Sequence, residues 1–260
     1  MQDYFILNNE LLLIQLNFKL IMKKVFYLLI VSISFFACKK EKSSLSSSSS
    51  GNSSTSSSVS KSGSGVVDAN GKSYKTIIIG NQEWMASNLD VTKYNDGTTI
   101  KGVDGDLDMN SYYTWMALKE GVWCNHMNML ERGKIYNGYV VESKKVCPTG
   151  WHIPSKAEWE TLINNLGGED KAGVKLKQTG YQYWSKSSWS SSTDTATNSS
   201  GFTAIPTGAI FNGMNLATLD AWYWTSDLTT IVIDNDFHGV SIRDEKEELN
   251  DASAIRCIKN

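Results

Sequence analysis

The sequence predicts an α+β fold built from short antiparallel strands, one clear amphipathic helix and long irregular loops. Three observations predict it. Ser155 to Leu166 combines a capping box with apolar residues at helical spacing. Short β-branched and aromatic runs recur on both sides of that segment, bounded by Gly, Asn and Asp. Between them lie stretches rich in Ser and Thr that show neither period.

The amino-terminal region is not part of that fold. Met1 to Ile21 has no caps and no clean period. Met22-Lys23-Lys24 then opens a new unit: two lysines, an apolar run from Val25 to Ala37, and Cys38. That layout is a signal peptide. The run is shorter than the ~20 residues that cross a bilayer. Phe35-Phe36-Ala37-Cys38 resembles a lipoprotein box, although Phe36 stands where a small residue is commoner. The expectation is upstream read-through over 1–21, a lipoprotein signal peptide over 22–38, and a lipid-modified Cys38. The competing reading is an uncleaved anchor starting near Leu11. Residues 39–65 are charged and then almost unbroken serine. Such a composition cannot bury enough apolar surface to offset ordering entropy, so a flexible tether is expected. Residues 66–260 remain for a single domain, long enough for a sizeable core.

Within that domain, Asn70-Gly71 between Val66-Val67 and Tyr74 to Ile79 predicts a hairpin with a type I′ turn. Gly80-Asn81 and Asn95-Asp96-Gly97 are further turns, and Gln82 to Leu89 a further strand, giving a small meander. Pro148 and Gly150 punctuate a turn ahead of the helix. Ser155 is its N-cap with Glu158 three residues on; Trp159, Leu162, Ile163 and Leu166 form its apolar face, and Gly167-Gly168 ends it. Asp170 to Gly180 reads as a helical turn and loop, and Tyr181 to Ser200 as an exposed, hydroxyl-rich aromatic loop. Gly201 to Pro206, Ala221 to Ser226, Leu228 to Ile233, Phe237 to Arg243 and Ser253 to Ile258 read as strands.

Charge narrows the function classes. Of 25 basic and 27 acidic side chains, seven and three precede Val66, leaving 18 against 24 and a net charge near −6 in the domain. A nucleic-acid partner would want a basic face, so none is expected. Asp104, Asp106 and Asp108 stand at alternate positions, as a calcium loop begins, which makes calcium the one cofactor suggested. The loop lacks the glycine at its sixth position and has Trp115 at its twelfth, so it fails as an EF-hand; a solvated acidic loop is the alternative. Cys124 and His126 lack a second ligand pair for zinc. Of three histidines, His152 lies in the capping turn and His238 near Asp234, Asp236 and Ser241. No nucleophile elbow, HExxH or phosphate loop is present.

Five motifs together resemble the Fibrobacter succinogenes major paralogous domain: Gly80 to Leu89, Tyr94 to Gly97, Cys147 to Gly168, Gly201 to Ala204 and Ile255 to Ile258. The resemblance covers roughly Val66 to Asn260. The resemblance implies a surface or secreted protein of Bacteroidetes type. Trp151 to Trp159 and Ala254 to Cys257 are also distantly similar to the formylglycine-generating family, which implies a C-type-lectin-like fold. That family's catalytic cysteine pair is not recognisable here. If Cys38 is lipidated, Cys124, Cys147 and Cys257 remain. The pair expected is Cys147 with Cys257, closing a long loop worth about 4 kcal/mol, with Cys124 buried and free; the sequence leaves the other pairings open.

The resulting expectation is a lipoprotein held in the outer membrane and exposed at the cell surface, carrying a non-catalytic module for a polysaccharide or a surface protein. Nine tryptophans supply candidate contacts. Trp184, Trp189, Trp222 and Trp224 are the ones singled out, because aromatic rings can stack on sugar faces; core packing is the alternative for each. An enzyme of unknown reaction and a purely structural surface protein are the competing functions.

Overall fold

The computed structural model describes residues 60–103, 115–125, 130–180, 182–184, 196–211, 214–216, 219–235, 239–244 and 246–260. Cys38, Asp104, Asp106, Asp108, His126, Trp189 and His238 lie outside them. Residues Thr55–Asn260 form one unit.

The unit opens with β1 (Lys61–Ser62), β2 (Val66–Val67), β3 (Ser73–Tyr74), β4 (Thr76–Ile79) and β5 (Gln82–Met85). The β2–β3 hairpin is present, but its turn is not type I′. Gly71 N donates to Asp68 O and Asp68 N to Lys72 O, and Gly71 alone has positive φ, at 83°. That is a type I turn closed by a glycine bulge. The Asp68 carboxylate selects it by accepting from Asn70 N and Lys72 N, which leaves Asn70 in the right-handed region. The β4–β5 turn spans Gly80-Asn81 with positive φ at Gly80 only, the pattern of type II′.

The chain continues through β6 (Lys101–Gly102), β7 (Val122–Cys124), β8 (Ile135–Asn137), α1 (Gly138–Ser143), β9 (Trp151–His152), α2 (Lys156–Asn165) and α3 (Glu169–Leu176). It ends with β10 (Ala209–Phe211), β11 (Met214–Leu216), β12 (Ala221–Trp224), β13 (Thr230–Ile233), β14 (Val240–Ile242), β15 (Ala252–Ala254) and β16 (Ile258–Lys259). The architecture is α+β and mostly β. One sheet has the order β1-β4-β5-β16-β9; a larger one runs β14-β13-β12-β15-β8-β7-β6, with the β10–β11 hairpin joined to β15. The last strand is therefore central to the first sheet, with Ile258 opposite both Trp84 and His152.

α2 forms as its sequence dictates. Ser155 Oγ accepts from Glu158 N while the Glu158 carboxylate accepts from Ser155 N, and Gly167 and Gly168 turn the chain away at φ 102° and 92°. Trp159, Leu162, Ile163 and Leu166 are buried with Trp84 of β5, Leu176 of α3, Phe202, and Tyr223 and Ile231 of the larger sheet. A second cluster gathers Met85, Tyr136, Val140, Val141, Trp224 and Ile255 around Cys147 and Cys257, which form a disulfide. Gly201 to Pro206 is not a strand; only Ala204 bridges, to Lys177.

The boundary of the tether also differs from expectation. Residues 60–65 belong to the domain. β1 pairs antiparallel with β4, Gly63 N donates to Thr76 O, and Ser64 N and Oγ both donate to Glu83 Oε1. A Cβ added at Gly63 would come within 2.4 Å of Glu83 and Thr76 side-chain oxygens, so the segment fits only because glycine stands there. Serine-rich composition hid this, because it is the groove and not the segment that supplies the specificity. Burial works to raise the Glu83 pKa, but the Lys259 ammonium and hydrogen bonds from Thr76 and Ser64 hold it at about 2, below its ordinary 4.5. A depressed carboxylate stabilises above its ordinary pKa and ceases to do so as pH falls through the folded value. The protection of the Ser64 amide against exchange, relative to its intrinsic rate at each pH, is therefore expected to fall between about pH 4.5 and 2, and not in Glu83→Gln, where the pairing is weak at every pH.

Candidate functional site

The tryptophans singled out from sequence do not make a surface. Trp224 is wholly buried, and its Nε1 donates to Tyr136 O at 2.7 Å. Trp184 is 5% exposed; its Nε1 donates to Ala204 O and the Lys177 ammonium lies 4.9 Å from the ring centre. Both are core residues, and neither can stack on a ligand. Trp222 is 8% exposed beneath Phe211 and Arg243, 4.9 and 5.4 Å from its ring. The reason is tertiary: both faces of β12 are packed, Tyr223 in the cluster around α2, Trp224 in the cluster around the disulfide, and Trp222 with Ala209, Val232 and Phe211. A hydroxyl-rich neighbourhood in sequence says nothing about which aromatic turns inward, and Trp184 does.

The indole least buried among the described residues is Trp123, which the sequence reading passed over. Alternation in β7 could have found it, since Val122 and Cys124 face inward. Gly102 lies so close to Trp123 that a Cβ would come within 2.6 Å of the ring, and the Lys134 ammonium lies 4.5 Å from the ring centre. Lys134 and Lys72 share Asp90 at 2.6 Å each. Burial opposes ionisation of Asp90, but the two lysines hold its pKa below the ordinary value.

His152 Nε2 lies 2.9 Å from Glu158 Oε1, and Nδ1 2.6 Å from Asn260 Oδ1. Ser155 Oγ donates to Glu158 and not to the imidazole. The three form part of the helix cap, without the nucleophile-to-base hydrogen bond that acyl transfer requires. Among the described residues no three His, Cys, Asp or Glu side chains are grouped to hold a metal ion, and no helix is long and apolar enough to cross a membrane.

Two aromatic–guanidinium groupings remain at the surface. On the outer face of the larger sheet Arg243 stands over Phe211 and Trp222, with its Nε 3.3 Å from Glu247; Leu219, just ahead of β12, is exposed. Elsewhere Arg132 stands over Tyr183, 5.3 Å from the ring centre. Neither arginine is conspicuous in sequence. The available signal was scarcity: Arg132, Arg243 and Arg256 are the only arginines in the chain.

Arg256 organises what lies beneath. It is fully buried, and its guanidinium donates to Asn88 Oδ1, Met85 O and Phe202 O while stacking 4.2 Å from the Phe202 ring. It thereby holds three distant segments of chain together. Burial pulls its pKa down, partly offset by Tyr223.

No curated protein and no solved structure matches the chain. Residues 77–259 match the Fibrobacter succinogenes major domain, a span that runs from β4 through the capped helix and Arg256 to the closing strand. On that match, the chain belongs to the Fibrobacter succinogenes major domain family.

Proposed function

We propose that this protein is an outer-membrane lipoprotein, anchored through Cys38 and exposed at the cell surface, whose domain binds a glycan or protein ligand without catalysing a reaction. The observation that carries the binding role is the Phe211–Trp222–Arg243 grouping on the outer face of the larger sheet. Aromatic and arginine side chains packed together are the composition of interface hot spots. The signal-peptide layout before Cys38 supports the anchor, and the Cys147–Cys257 disulfide fits an exported, oxidised domain. The α+β arrangement, with short strands and long irregular connections, supports a C-type-lectin-like fold.

Two measurements test this reading. Intact mass of the protein taken from native membranes is expected to show an acylated chain starting at Cys38; a species that keeps Ala37 and carries no acyl chains overturns the anchor. A glycan array and a surface-protein pull-down with the mature chain are expected to give ligands whose affinity falls about tenfold or more in Phe211→Ala or Arg243→Ala, as for a hot-spot residue. Ligand binding unchanged in both variants would move the site elsewhere.

A further inference from the structure

The end of the serine-rich segment is held by groups that select its sequence. Gly63 N donates to Thr76 O and Gly65 N to Thr76 Oγ1, both at 2.8 Å. Between them Ser64 N and Oγ donate to Glu83 Oε1 at 2.6 and 2.7 Å, and Lys259 Nζ reaches Ser64 Oγ at 3.1 Å. Thr76 Oγ1 in turn donates to Glu83 Oε1, and Lys259 pairs with Glu83 Oε2 at 2.8 Å, so the receiving groups hold one another in place. They come from β4, β5 and β16. Ahead of Gly63, Ser62 lies opposite Ile77 and Lys61 opposite Ile78, and Ser60 Oγ stands beside Gly201.

Each position of the tripeptide is restricted for its own reason. A Cβ on Gly63 would stand 2.3 Å from Thr76 Oγ1 and 2.4 Å from Glu83 Oε1, and neither can retreat without losing the bonds just described. Position 64 takes a small hydroxyl, because its oxygen lies between a carboxylate and an ammonium. Gly65 has φ 75°, where a side chain is strained. No other three residues between Ser43 and Gly65 carry glycine at both ends. A flat, polar strand is prone to slip in register, and here the glycines prevent it. Docking also gives the β4 edge, Thr76 to Ile79, a partner and places Lys61 on the new edge. Both keep an edge strand from pairing with another chain.

We propose that Thr76, Glu83 and Lys259 form a binding site for an extended Gly-Ser-Gly segment, and that its ligand is the end of the chain's own tether, which it fastens in a single register. The covalent link at Gly65 favours this ligand over the same segment of a neighbouring copy, because it keeps the segment at a high local concentration. The site is separate from the Phe211–Trp222–Arg243 face and does not depend on what that face binds. Only its consequence for the anchor rests on the reading of Cys38. Fastening leaves 21 residues, 39–59, as the leash, with a root-mean-square reach of about 25 Å for a flexible coil.

The test treats the full chain in detergent with trypsin and follows the cut after Lys61 by mass. Trypsin cuts the opened form, so this cut is expected to be at least tenfold slower than in a synthetic peptide of residues 55–66. Gly63→Ala is expected to speed it at least tenfold, toward the rate of the peptide. Gly63 is not in the positive-φ region, and alanine costs an extended chain less entropy than glycine, so the gain would come from the Cβ contact alone. Ser64→Ala keeps the backbone bonds and loses those of the hydroxyl, and should speed the cut less. Gly51→Ala, which changes the other glycine of the serine-rich run, is expected to leave it unchanged. The unfolding midpoint is expected to stay the same in all three variants. A cut as fast as in the peptide, a Gly63→Ala chain as resistant as the parent, or an equal effect of Gly51→Ala each overturns the proposal. Slow cutting that Gly63→Ala abolishes, in a chain whose mass shows no acyl groups, upholds the site and defeats only the leash.

Discussion

Replacing Arg256 by methionine is expected to destabilise the domain by on the order of 4 kcal/mol, since stripping a buried acceptor of its donor costs roughly 1–3 kcal/mol each. Asn88 Oδ1, Met85 O and Phe202 O would all lose their donor. Methionine keeps most of the volume, so the loss reports hydrogen bonding and not a cavity. Arg256→Lys preserves the charge but offers a single ammonium where three directions are needed, and should recover less than half of the loss. Denaturant unfolding gives the measurement, through a lower midpoint at unchanged slope. A methionine variant within about 1 kcal/mol of the parent would show that these bonds do no more than replace bonds to water. Such a loss is a large share of the ~5–15 kcal/mol that stabilises an ordinary domain.

Removing the disulfide should have an effect of similar size. Cys147 and Cys257 are 110 residues apart, and closing a loop of that length is worth about 4 kcal/mol in the chain-entropy account. The Cys147→Ala, Cys257→Ala double variant is expected to retain the fold at low temperature and unfold at markedly lower denaturant. Cys124 is the internal control. It is buried and free, and burial pushes its thiol up to about 12. In the oxidised native protein no thiol should therefore react with a disulfide reagent, whereas denaturation should release reactivity at Cys124. Fast native labelling at Cys124, or loss of the double variant's stability deficit under oxidising conditions, would contradict the pairing.

Arg256 and Cys257 are adjacent, and their partners come from both ends of the domain, so the segment from Ile255 to Ile258 joins sheet, loops and helix turn at once. The two variants are too close to be independent, and their effects should not simply add.

The legibility of the chain follows from the range of the interactions involved. Local chemistry was readable. Ser155 and Glu158 are three residues apart, so the capping box could be written down from sequence, as could the apolar face of α2 and the strand character of Ala221 to Trp224. The turn at Asn70-Gly71 was located correctly but typed wrongly, because Asp68 reaches forward to hold Asn70 N and Lys72 N, a contact that turn statistics do not weigh. The five motifs fixed the family, and the Cys147–Cys257 pairing agreed with expectation.

What tertiary structure alone decided was direction. Periodicity says that a tryptophan belongs to a strand; it does not say what packs on that strand's faces, and Phe211 and the disulfide cluster place Trp222 and Trp224 under cover. Composition says that Ser60 to Gly65 is too polar to fold by itself; it cannot say that Glu83, Thr76 and Lys259 form a groove for it. The partly buried setting of Arg132 depends on Tyr183 and Pro206, more than 50 residues away in sequence. By itself the sequence determined the capped helix, many of the strands and the family, because each rests on neighbours within a few residues or on a motif, and it left the Cys147–Cys257 staple as one pairing among several. Which side chains face outward was settled by packing between segments far apart in the chain, where burial is shared among partners that no local pattern names.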